Sequence, residues 1–161
     1  MPHPFAQRKD RTEGHVQTPN DIIQQAHDGS TVNQWYFYLA VSDYDLAPRP
    51  KPDGTRDQAT KTPVPDSFKS PFIGQSLESL AEWLRDKPEE VNLETKFFAV
   101  LDKKAKDKKV VLVRIAGNQG QEIKPSCVLV DADESSLRLA GMESGTWGEL
   151  VHAKGEYTPD F

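Results

Sequence analysis

The sequence predicts an α+β fold, with α/β as the alternative: one mixed β-sheet of four to five strands with two or three packed helices. Three observations carry this. Trp35 to Val41, Phe97 to Leu101 and Val110 to Ile115 are short apolar runs rich in aromatic and β-branched residues, the composition of buried strands. Leu77, Leu80, Ala81 and Leu84 repeat at helical spacing instead. The chain has 161 residues, 36% hydrophobic and 28% charged, which is enough for one modest core and not for two.

Taken in order, residues 1–17 are polar, charged and without periodicity, so a flexible N-terminal arm is expected there, followed by a single domain over 18–161. Thr18, Pro19 and Asp21 form a helix-start signature: a hydroxyl able to accept a backbone N–H, a proline suited to the first turn, and an acid at the positive end. Ile22, Ile23 and Ala26 give that helix an apolar stripe, and Gly29 stops it. The run Trp35 to Val41 reads as a central strand ending at Ser42-Asp43-Tyr44-Asp45. Half of the twelve prolines then fall between Ala47 and Pro71, which predicts an extended surface loop.

The helix carrying Leu77 to Leu84 starts at Ser76 or Gly74 and ends before Pro88. Phe97 to Leu101 and Val110 to Ile115, joined by the lysine-rich turn Lys103 to Lys109, read as a β-hairpin. Cys127 to Val130 and Leu137 to Ala140 are compatible with two more strands. Thr146 and Glu149, in capping-box spacing, mark a last helix with Trp147, Leu150 and Val151 on its apolar face.

Charge and composition narrow the function classes. A net charge of -5 argues against a general nucleic-acid binder, which needs a dominant basic surface. No apolar run approaches the length of a membrane helix. The charged start lacks the apolar core of a secretory signal, and the single cysteine, Cys127, forms no internal disulfide, so a cytoplasmic location is expected. No metal site or cofactor is expected, since His3, His15, His27 and His152 fall in no ligand spacing and neither Gly117 to Gly120 nor Gly141 to Gly148 matches a phosphate-binding fingerprint.

The candidate chemistry is acidic and aromatic. Asp43 and Asp45 end the Trp35 to Val41 strand and Asp102 ends the Phe97 to Leu101 strand; if these strands lie side by side and parallel, their acids converge at one sheet edge, where open sheets bind ligands. Clustered carboxylates there would serve as acid and base. Trp35, Tyr36, Tyr38 and Tyr44 would line the accompanying pocket. The plainer reading is that aspartates end strands because they initiate turns. Cys127, beside Val128 and Leu129, reads as a small buried hydrophobe, and no nucleophile elbow surrounds Ser126 or Ser42.

Phe97 to Asp102, Val110 to Ile115, Leu137 to Ala140, the Trp147 to Ala153 helix and the closing Asp160-Phe161 together resemble a small α/β domain of unknown function found in bacterial and fungal hypothetical proteins. Ser42-Asp43-Tyr44-Asp45 is similar to the end of that family's opening strand. The chain departs from the pattern by its proline-rich insertion after Asp45. The resemblance implies a fold and no reaction.

The expectation is therefore a non-catalytic binding or interaction domain for a small molecule or a protein; a homodimer through an unpaired sheet edge or the exposed face of the Leu77 to Leu84 helix is compatible with this role and with the alternative. The alternative is a small cofactor-free enzyme of isomerase, cyclase or lyase type using Asp43, Asp45 or Asp102.

Overall fold

Among the described residues five strands form one mixed sheet. The structure is a computed structural model that describes residues 2–7, 18–53, 59–102, 108–117, 120–142 and 144–160. The strands are β1 (His3–Gln7), β2 (Phe37–Leu39), β3 (Phe97–Leu101), β4 (Lys109–Ala116) and β5 (Lys124–Asp131), lying in the sheet in the order β2-β1-β3-β4-β5. β1 runs parallel to both β2 and β3, while β3, β4 and β5 form an antiparallel meander. Among the described residues four α-helices accompany them: α1 (Pro19–Asp28), α2 (Leu77–Arg85), α3 (Ala132–Ala140) and α4 (Ser144–Lys154). The α+β expectation with its mixed sheet is thus met.

Residues 3–7 correct the expected flexible arm. They form a strand with neighbours on both sides, and Phe5 is 0% exposed. Two apolar residues, Phe5 and Ala6, are too few to give a local period. The strand exists because β2 and β3 flank it and satisfy its backbone, as when Ala40 N–H donates to Phe5 O at 2.9 Å. The rest of the arm lies outside the described residues.

The pairing register sorts side chains onto two faces. Phe98 pairs with Val113 and Val113 with Cys127, so these share one face, and Asp102, four residues beyond Phe98, belongs to it. Phe97, Arg114 and Ser126 share the other. Trp147 of α4 donates its indole N–H to Ser126 Oγ at 3.1 Å and its ring lies 6.0 Å from that of Phe97, which seats α4 on the second face. α1 packs against α3, with Ser136 Oγ donating to Ala26 O at 3.1 Å.

Thr18 caps α1 in a reciprocal box with Asp21, and Ser76 caps α2 by accepting from Ser79 N–H at 3.1 Å, as their spacing predicts. Leu77, Leu80, Ala81 and Leu84 are the buried stripe of α2. Leu137 to Ala140, compatible with a strand by composition, is the end of α3. There only Leu139 is buried and Leu137 is exposed, a one-sided pattern, and Arg138 meets Glu134 four residues back at 3.1 Å. Thr146 lies inside α4 and does not cap it.

The proline-rich stretch holds no helix or strand among its described residues, but it is more than a surface loop. Ala47, Pro48, Val64 and Ser70 are buried. Thr60 N–H donates to Phe37 O at 2.7 Å and its hydroxyl accepts from Leu39 N–H at 2.9 Å, so the loop covers the outer edge of β2.

Candidate functional site

Strand alternation divides the expected aromatic pocket. Trp35 turns toward α1, where its ring stacks on His27 at 3.8 Å. Tyr38 instead donates its hydroxyl to Leu46 O at 3.1 Å; burial pushes its pKa up to about 12, with the Asp43 carboxylate adding to the shift. Tyr44 stacks on Trp83 of α2 at 5.1 Å and donates to the Trp83 carbonyl at 2.6 Å. Its pKa is raised, first by burial and then by Asp86. Tyr36 is half-buried, and its carbonyl accepts from His3 N–H at 2.8 Å. Phe37 and Leu39, the residues between, are core.

The acids are likewise distributed. Asp43 Oδ1 accepts from Asp45 N–H at 2.9 Å and so opens the single turn of 3₁₀ helix at Tyr44–Leu46. Asp45 meets Arg49 at 3.4 Å with its side chain 89% exposed. These are the turn-forming roles that strand-end aspartates commonly take. β2 and β3 do point the same way, but β1 lies between them, which separates their ends by two strand spacings, about 10 Å.

Asp102 differs from the other two. It is 4% exposed and accepts from the Tyr157 hydroxyl at 2.9 Å and from Asp160 N–H at 3.2 Å. Both donors belong to the segment after α4. That segment begins at Gly155, whose φ of +82° lets the chain leave the helix while its N–H still reaches Val151 O at 2.8 Å. Tyr157 N–H then donates to Cys127 O at 2.7 Å.

The register explains this contact. Ala132 N–H donates to Lys108 O, so alternate residues of β5 turn their backbone groups toward β4 and the odd-numbered ones turn them outward. The Cys127 carbonyl therefore faces away from β4, where the segment meets it.

Between this segment and α2 lies an open cleft of about 710 Å³. Its walls are Gly74 and the first turn of α2 (Ser76, Leu77, Glu78), Pro125 and Cys127 of β5, and Glu156 to Pro159. Its charged lining residues are Glu78 and Glu156. Burial pushes the Cys127 thiol up to about 12, with Glu156, Asp102 and Glu78 adding to the effect. The Tyr157 hydroxyl is raised by burial first and by its bond to Asp102 second. At neutral pH both keep their protons, so neither presents a nucleophile or a ready base.

Of the expected site residues, only Asp102 stands beside this cleft, behind Tyr157. Little in the sequence points to Glu78, Glu156 and Tyr157, because the tail after α4 has no period. Among the described residues no group of three or more His, Cys, Asp or Glu side chains is placed to hold a metal ion, and no helix is long and apolar enough to cross a membrane. No family model, curated protein or solved structure matches the chain.

Proposed function

We propose that the protein is a non-catalytic binding domain that takes a small, positively charged or donor-rich molecule into the cleft between α2, β5 and the segment after α4. The observation that carries the reading is the lining itself: among the described residues, two carboxylates and no basic side chain around a concavity of about 710 Å³, with Leu77, Pro125, Cys127 and Pro159 as apolar surface. A cation keeps its electrostatic complement there, and Tyr157 offers it an aromatic wall. Binding is favoured over catalysis because the thiol and the phenol at the cleft are held protonated at neutral pH.

The acid and base reading through Asp43, Asp45 and Asp102 has less support. Two of these carboxylates form an exposed turn and the third is engaged by Tyr157 and Asp160. The resemblance to a domain of unknown function bears on fold and brings no reaction with it. A cytoplasmic location is consistent with the single buried thiol.

The test is a size-matched panel of primary amines, guanidines, polyols and carboxylates, followed by backbone chemical shifts. Amines and guanidines are expected to move the amides of Glu78, Cys127 and Tyr157, and the double substitution Glu78→Gln, Glu156→Gln to weaken them several-fold. Equal binding of carboxylates, or shifts that map elsewhere, would refute the reading.

A further inference from the structure

We propose that residues 155–160 form a strap that opens as a unit about Gly155, with the Asp102 carboxylate as its latch, and so controls access to the face of the sheet that carries Cys127. The segment passes from Cys127 on β5 to Asp102 at the end of β3, with β4 between them. It thus spans three strands, yet it is not paired in the sheet.

Three features make it a separable unit. Among the described residues three hydrogen bonds attach it, the Tyr157 N–H on Cys127 O and the Tyr157 hydroxyl and Asp160 N–H on Asp102, and of its side chains Tyr157 packs against the core. Glu156, Thr158 and Asp160 are exposed, while Tyr157 and Pro159 are half-buried, so one side of the segment rests on the domain and the other meets solvent. Segments with few buried contacts open at a smaller free-energy cost than the whole domain.

Its hinge is also defined. Gly155 holds φ +82°, and a Cβ built there meets nothing within 4 Å, so the glycine serves conformation and not room. Rotation there moves the segment without displacing α4, which Trp147 anchors through Ser126 and the core.

The latch is concentrated in one group. Two of the three attachments end on a single carboxylate oxygen, Asp102 Oδ2, inside a site 4% exposed. Bonds to a charged acceptor at low exposure are the stronger kind. Loss of the hydroxyl donor removes one bond and leaves the packing of the ring in place. The strap also forms one wall of the cleft, so its consequence for ligand entry rests on the reading above, whereas the latch itself does not.

The test uses the Cys127 thiol as reporter in the full chain, labelled by a maleimide under native conditions. Tyr157→Phe and Asp102→Asn are expected to raise the labelling rate about ten- to a hundredfold, the equivalent of losing one bond to a charged group. Labelling should be faster than the global unfolding constant from urea allows, and it should depend only weakly on low concentrations of urea, because opening the strap exposes little surface. No increase in the variants, or labelling that rises with urea as steeply as global unfolding does, overturns the strap. Should Asp102→Asn fail to fold, Tyr157→Phe decides alone.

Hydrogen exchange in the unsubstituted chain gives a second readout. The Tyr157 and Asp160 amides are expected to exchange well before those of Leu112 and Val128, and exchange of all four at one rate overturns the proposal. Faster labelling without amine binding leaves the strap standing and removes the ligand reading; amine binding without faster labelling does the reverse.

Discussion

Gly29 stands against the backbone of Asp133, so close that a Cβ built on it would lie 1.8 Å from the Asp133 carbonyl oxygen. The φ of Gly29 is −79°, which any residue adopts, so the need is for room. The end of α1 meets the start of α3 here, and the Ser136 hydroxyl bridges to Ala26 in the same seam.

Gly29→Ala is therefore expected to destabilise the domain by about 3 kcal/mol, the upper part of the range for overpacking, because backbone yields less than a side chain. Urea unfolding measures it. A loss below about 1 kcal/mol would show that the two helices separate freely.

His3 makes stability depend on pH. Burial lowers its pKa below the ordinary 6.5, the Glu94 carboxylate and a backbone hydrogen bond at Phe97 opposing this in part, and Nδ1 has no partner among the described residues. The folded chain then keeps His3 neutral where the unfolded chain takes up a proton. Stability contributed by the neutral ring is full above 6.5 and is lost as pH falls from there through the folded pKa. His3→Leu should flatten that decline, which urea midpoints at several pH values between neutrality and mild acid compare directly. Parallel declines in both chains would assign the pH dependence to other groups.

These two sites show what the sequence made legible. Caps and stripes were readable because Thr18, Asp21, Ser76 and the leucines of α2 act within one or two turns of chain. The antiparallel pair β3 and β4 was readable because a short connection leaves few alternatives. The insertion of β1 between β2 and β3 was not, since parallel neighbours are chosen by distant segments that leave no mark on His3 to Gln7. That insertion is also why the expected meeting of Asp43 and Asp45 with Asp102 is spread across the sheet. Leu137 to Ala140 misled because four residues show strand and helix composition equally; the decisive partner, Glu134, lies one turn earlier.

The turn at Asp43 gives a discriminating pair of substitutions. Asp43→Ala removes the acceptor of the Asp45 N–H and should cost about 1 kcal/mol, whereas Asp43→Asn keeps an acceptor of similar capping strength and should be nearly neutral. Thermal midpoints separate the two. An Asp43→Asn chain that folds normally and yet loses binding of an identified small ligand would revive the acidic site at this end of the sheet.

Cys127 lies on the face beneath the strap. It is 4% exposed, and its sulfur sits among apolar neighbours with three carboxylates raising its pKa further. A protonated, buried thiol behaves as a small hydrophobe. Cys127→Val should thus cost less than about 1.5 kcal/mol, the usual bound for an apolar replacement of similar volume. Cys127→Ser should cost more, about 1 to 3 kcal/mol, since it buries a hydroxyl in place of the thiol. Unfolding in urea orders the two variants. The opposite order, serine tolerated and valine not, would mean that the position meets water or a polar partner, and the cleft wall would then be hydrated where it has been described as apolar.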